Sequence, residues 1–275
     1  NLSLRICLLS YRSNPHCGGQ GVYLKQISRA LADLGHHVEV VSGPPDPHLD
    51  DGIPVHRMPS LDLYNPADPF RLPKIDELQN VANLYEWLNV STMGFPEPFL
   101  FGFQAYRFLN QNGHRFDIIH DNQSLSYGLW AIGRRQPTLA TIHHPITVDL
   151  DIAVKAEKHF WRKLKQLRWY SFIHMQKQVA RTLSHVVTVS QCAQKDISRD
   201  FDIPRQRFRI VPNGINTEMF RPLPDVPREA NRIIVTNSAD TPLKGLVYLL
   251  EALAVVRNRH PVRLIVIGQP KANGT

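Results

Sequence analysis

Cysteine is scarce in this chain, long apolar runs are missing, and acidic residues thin out in its second half. Three cysteines in 275 residues, Cys7, Cys17 and Cys192, are odd in number and lack the spacing of a metal site or a disulfide framework. Reduced thiols in a cytoplasmic protein are the expectation. No run reaches the ~18 apolar residues that a membrane-crossing helix requires. The first ten residues are too short a polar–apolar stretch for a signal peptide and read as a strand. The chain does not open on methionine, so a trimmed natural N-terminus is expected. No internal repeat or low-complexity tract is present. With 43% hydrophobic and 20% charged residues, the composition is that of a folded domain. The length suits one large unit or two smaller ones.

Charge is unevenly divided. Residues 1–150 carry 11 Lys and Arg against 14 Asp and Glu, whereas residues 151–275 carry 21 against 10. A half with a net charge of +11 suggests an anionic partner, whether phosphate, a membrane face or nucleic acid. No stacking platform or base-reading motif accompanies the lysines, so nucleic acid is not expected.

Short β-branched runs alternate with helical patterns along almost the whole chain. Strands are expected at 4–9, 37–41, 55–58, 117–120, 138–143, 186–190 and 208–211. Helices are expected at 21–34, 77–89, 99–112 and 125–134, over a long basic region at 152–183, and in a short piece after residue 190. The proline-rich stretch 59–73 reads as irregular loop. Strands alternating with helices imply a parallel sheet covered on both faces. Residues 223–231 read as a linker between a first domain, 1–222, and the start of a second, 232–275. The second begins strand 232–236, helix 244–258, strand 262–267. One βαβ unit cannot bury both faces of its sheet, so this second domain is expected to be incomplete.

Several strings lie where such sheets bind ligands. Cys17-Gly18-Gly19-Gln20-Gly21 separates the first strand from the first helix, where backbone N–H groups and the helix dipole favour an anion. Leu24 stands where the dinucleotide fingerprint needs its third glycine, and the second strand ends Val41-Ser42-Gly43 without a ribose-binding acid, which excludes the NAD pattern. A tight turn without a ligand is the alternative. Asp117-Ile118-Ile119-His120 and Thr141-Ile142-His143-His144-Pro145 end two parallel strands, and Asn122 follows closely on the first. Each histidine is a ligand-binding candidate or a structural one. Neighbouring residues of an extended segment point apart, so His143 and His144 do not make a metal pair. Lys244-Gly245 opens a helix, a natural phosphate contact or an ordinary surface lysine.

The basic region is also patterned. Lys155, Lys158, Arg162 and Lys165 recur at helical spacing, with Ala156, Phe160, Leu164 and Leu167 on the opposite arc. Residues 155–181 hold eight cations and one acid, Glu157. Two readings stand: a helix lying on an anionic lipid surface, or a solvated helix with its apolar side in the core.

Together these strings resemble the GT4 glycosyltransferases. The resemblance rests on the Gly-Gly loop with the helix ending Ala32-Asp33-Leu34-Gly35-His36-His37-Val38, on Phe116-Asp117-Ile118-Ile119-His120 and on Thr141-Ile142-His143. Its most specific parts are Val187-Thr188-Val189-Ser190 and Val211-Pro212-Asn213-Gly214-Ile215-Asn216 with Phe220-Arg221-Pro222. It implies a GT-B fold, two Rossmann-like α/β domains facing a cleft. A retaining transfer would move a sugar from a nucleotide-diphospho-sugar to a glycan, lipid or small-molecule acceptor, without metal or other cofactor.

By this resemblance Gly18 and Gly19 approach the donor, His143 stands near the reacting sugar, and Lys244 neutralises the leaving diphosphate. His120 and Asn122 fall on the acceptor side. Ala239 replaces the arginine usual five residues before the lysine, and the family's paired glutamates would lie beyond residue 275. The chain alone is therefore expected to be inactive, and the protein cytoplasmic or peripheral to a membrane. The rival readings are a sugar-nucleotide epimerase or hydrolase of the same fold, and a non-enzymatic module that binds anionic membranes.

Overall fold

The computed structural model describes residues 3–14, 18–65, 68, 71–236 and 245–268. Seven strands form one sheet: β1 (Arg5–Ser10), β2 (His37–Ser42), β3 (Val55–Arg57), β4 (Ile118–Asn122), β5 (Thr138–Thr141), β6 (Val186–Thr188) and β7 (Phe208–Ile210). Their order is β3-β2-β1-β4-β5-β6-β7 and every pairing is parallel. The chain winds outward from β1 in one direction, then returns to pair β4 against the free side of β1. That reversal opens a crevice at the strands' C-terminal ends.

The helices follow from apolar spacing. In α1 (Gly19–Asp33) Leu24, Ile27 and Leu31 face Ile6, Leu8, Val38 and Val40 on one side of the sheet. Gly35 ends the helix at φ +89°, a left-handed position that suits glycine. Leu34, placed by spacing on the apolar stripe, is instead the exposed C-cap. The other side packs α3 (Glu97–Asn112), α4 (Tyr127–Gly133), α7 (Phe172–Thr182) and α8 (Gln191–Phe201) over Cys7, Leu9, Ile119 and Ala140. Ser126 caps α4 and Ser190 caps α8 through their hydroxyl groups.

Three expectations need correction. The helix expected at 77–89 is a 3-10 turn, Glu77–Gln79, followed by α2 (Val81–Ser91), because Asn80 is extended and caps a fresh helix through Ala82 N–H. The basic region 152–183 is not one helix. It breaks into α5 (Thr147–Ala156), α6 (Phe160–Trp169) and α7, with Glu157 and His159 extended between the first two. The short helix after residue 190 runs eleven residues as α8. A separate two-stranded parallel sheet, β8 (Arg232–Thr236) with β9 (Arg263–Ile267), flanks α9 (Leu246–Val256), as the βαβ reading expected. Lys244 and Ala239 lie outside the described residues.

Phe201 and Phe160 test the division between core and surface. Phe201 is fully buried and Phe160 is 70% exposed. Phe201→Ala should cost about 3–5 kcal/mol by urea unfolding, whereas Phe160→Ala should leave the midpoint almost unmoved.

Candidate active site

The crevice at the β1–β4 reversal is lined by polar side chains joined in one network. The register sets it up: Leu9 pairs with Asp121 and Asn122 with Thr141, so Ser10, Asn122 and Thr141 meet at the strands' C-terminal ends. Along β4, His120 and Asn122 share the face toward α1, while Asp121 points into the opposite layer. Asn122 Nδ2 donates to the Gln20 carbonyl at 3.1 Å and to Ser10 Oγ at 3.3 Å. A carbonyl can only accept, so the amide orientation follows, and Asn122 Oδ1 faces His143 Nε2 at 2.8 Å. That ring nitrogen must therefore carry the proton, and in the neutral ring Nδ1 is left as the acceptor. Tyr23 from α1 meets His143 edge-on, with centroids 4.7 Å apart, and shares the Thr141 hydroxyl (3.0 Å) with His120 Nε2 (2.7 Å).

Burial keeps both rings uncharged at neutral pH. Desolvation, then the neighbouring His143, lowers the pKa of His120 to about 4. Desolvation, then His144, lowers that of His143 to about 4. His143 thus acts at neutral pH as a hydrogen-bonding group, not a cation.

His143 lies two residues past β5, not within the strand as expected, and His120 sits mid-strand with Asn122 at its end. What holds His143 is Gln123. Its Oε1 accepts from the His143 main-chain N–H at 2.7 Å, and its Nε2 donates to the His144 carbonyl at 2.9 Å. The side-chain amide thus replaces a strand neighbour for the two residues beyond β5. Gln123 itself stands at φ +56° and Leu125 at φ +46°. These uncommon conformations are held by Asp121, which accepts from Leu125 N–H at 2.9 Å and from the Ser124 hydroxyl, and by Gln176 Nε2, which donates to the carbonyls of Gln123 and Ser124. Burial raises the Asp121 carboxyl to about 6 despite these donors.

Tyr23, Gln123 and Gln176 were not singled out by the motifs. A polar residue on the buried stripe of α7, among Ile173, Val179 and Ala180, is the signal that could have found Gln176. The run Asn122-Gln123-Ser124 just after an apolar strand is the signal for Gln123.

The glycine loop divides its labour. A Cβ on Gly21 would meet the Asn14 backbone at 2.4 Å, so Gly21 permits close packing of the helix start. Gly18 and Gly19 have nothing within 4 Å of such a carbon, and α1 begins at Gly19 with no acidic residue in its first turn. The open space at this helix start suits an anion. Among the described residues no group of three or more His, Cys, Asp or Glu is placed to hold a metal ion.

An all-parallel sheet in this order, with a βαβ unit following, is the fold shared with GT-B glycosyltransferases. The chain belongs to Glycosyltransferase Family 4, whose sequence model matches residues 17–219. It is 46% identical over 273 residues to the MMP alpha-(1->4)-mannosyltransferase of Mycolicibacterium hassiacum, covering 98% of this chain and 66% of that protein. Among solved structures it is similar to WaaG, a glycosyltransferase involved in lipopolysaccharide biosynthesis (TM-score 0.59, 15% identity, 97% of this chain and 64% of that one). It is also similar to Anabaena Alr3699/HepE in complex with UDP and glucose (TM-score 0.55, 16% identity, 96% and 60%). The chain spans just under two thirds of the length of these proteins.

Two measurements check this geometry. Gly21→Ala should destabilise the fold by ~1–3 kcal/mol through the clash with Asn14, while Gly19→Ala should leave thermal unfolding unchanged. The second is pH dependence. His120 and His143 bind fewer protons folded than unfolded between about pH 4 and their ordinary 6.5. Their contribution is complete above pH 6.5 and is lost as pH falls toward 4. Asp121, raised from 3.8 to about 6, runs the other way and partly offsets that loss. His143→Gln should therefore flatten the acid limb of urea stability between pH 6.5 and 4.5, and Asp121→Asn should steepen it.

Proposed function

We propose that this chain supplies the acceptor-side domain, and the first part of the donor-side domain, of a retaining hexosyltransferase. The sugar is a mannosyl group carried on a nucleoside diphosphate, and the acceptor is a saccharide hydroxyl that receives an α-(1→4) link. The observation that carries the reading is the network Ser10–Asn122–His143–Tyr23–Thr141–His120, set at the sheet reversal beside the open start of α1. Family membership and the mannosyltransferase relative support the choice of chemistry.

In this reading the bond between the anomeric carbon and the diphosphate oxygen breaks as the acceptor oxygen bonds to the same face of that carbon. The acceptor proton passes to the departing phosphate oxygen. Negative charge builds on the diphosphate, so the N–H groups at the start of α1, the space above Gly18 and Gly19, and Lys244 act where that charge develops. Neutral His143, its Nε2–H committed to Asn122, offers Nδ1 as an acceptor to a sugar hydroxyl. Holding one tautomer in one place supplies orientation without a charge that would compete with the oxocarbenium-like centre. His120 and Asn122 back this wall on the acceptor side, and no metal is required.

The test is the complete protein incubated with nucleotide sugars and a saccharide acceptor, with the product linkage read by NMR. An α product from an α-linked donor, formed in the presence of a chelator, is expected. A β product, or donor consumed without acceptor as an epimerase or hydrolase would do, overturns the reading. Lys244→Ala should lower turnover about 100- to 1,000-fold, toward the upper end because Ala239 replaces the arginine usual in the family. Exposed Lys195 on α8, changed to alanine, should keep the wild-type rate.

A further inference from the structure

We propose that α6 is a docking surface for an anionic lipid membrane. The ten residues of α6 read Phe-Trp-Arg-Lys-Leu-Lys-Gln-Leu-Arg-Trp, and none is buried. Phe160 is 70% exposed and Trp161 72%; Leu164 and Leu167 are about half exposed. At helical spacing these four side chains fall on one arc, so the apolar face of the helix is turned to solvent. The helix is not loosely attached. Trp169 on its far side stacks on Phe95 at 5.0 Å and meets Tyr64 edge-on, and Arg168 donates to Asn89 at the end of α2 at 2.8 Å. The body of the domain therefore grips the C-terminal end of α6 while leaving its apolar arc outward.

The neighbouring α7 shows the contrast within the same basic segment. Its stripe Ile173, Val179 and Ala180 is buried in the core. The two readings of the basic region divide between these helices: core packing describes α7, and an uncovered amphipathic face describes α6. Next to the Arg168 clamp, α2 adds a second exposed stripe of Val81, Leu84, Tyr85 and Leu88.

Charge selects the occupant. Arg162, Lys163 and Lys165 lie within α6, Lys155 and Lys158 just ahead of it, and the helix contains no acid. Within residues 155–181 the one acid, Glu157, already lies 3.9 Å from Arg162. Large aromatic side chains flanked by cations fit the boundary of acyl chains and anionic headgroups. A second copy of the chain fits poorly, because a symmetric contact would set this cationic face against itself. The inference is independent of the proposed transfer reaction, since none of the residues it rests on belongs to the His143 network and its test uses no sugar.

The experiment is flotation of the complete protein with vesicles of equal phosphatidylglycerol and phosphatidylcholine, and with pure phosphatidylcholine, at low salt. Binding is expected to the anionic vesicles only, with release at high salt. The pair Phe160→Ser with Trp161→Ser should reduce partitioning at least about tenfold, and so should Lys158→Glu with Lys165→Glu. All four positions are exposed, so melting temperatures should stay at the wild-type value. Absence of vesicle binding, equal binding to neutral vesicles, or unaltered binding by both double variants overturns the proposal. Concentration-dependent dimerisation without vesicles that Trp161→Ser abolishes would identify a second copy as the occupant and overturn it as well.

Discussion

The pairing of β1 with β4 is the constraint on which the rest depends. Ile6 through Leu9 lie beside Ile118 through Asp121, and this register sets Ser10 against Asn122 at the reversal of the sheet. A slip of one residue would exchange the two faces of β4. His120 and Asn122 would then face the apolar layer of α3, α4 and α7, and Asp121 would face α1. Apolar alternation guards the register, because Ile119 is fully buried in one layer while Ile118 packs against the other.

The site departs from the rule that buried polar groups are few, and compensates by pairing them. Asn122, Gln123, Ser124, Ser126, Asp121 and Thr141 are all buried within one stretch of crevice. Each makes at least one directional bond, and two uncommon backbone conformations at Gln123 and Leu125 are part of the arrangement. The protein body thus stiffens a loop that would otherwise be free beyond β5, and it does so with a side-chain amide instead of another strand. Neutral histidines follow from the same burial.

Much of the fold was legible in the chain because its elements obey simple periods. All nine strands and the order of strand and helix follow from β-branched runs, glycine stops and apolar spacing. Departures arise where a local signal competes with packing. Spacing alone carries a helix through 157–159, but the chain there is extended, and α6 leaves the layer that α7 enters. Asn80 reads as one more residue of a helix until its side chain is seen capping the next one. At the site, His120, Asn122 and His143 stood in motifs. Gln123, Tyr23 and Gln176 did not, since their roles depend on partners 20 to 118 residues away.

By itself, the amino-acid sequence determined the α/β class, the parallel sheet, the glycine loop at a helix start and the cationic second half, because each is a local pattern of residue type and spacing. Tertiary structure decided which nitrogen of His143 holds the proton, which loop glycine is needed for packing, and which basic helix shows its apolar face to solvent. Those properties depend on what stands opposite each side chain. Distant segments supply those neighbours only when β4 returns to lie against β1.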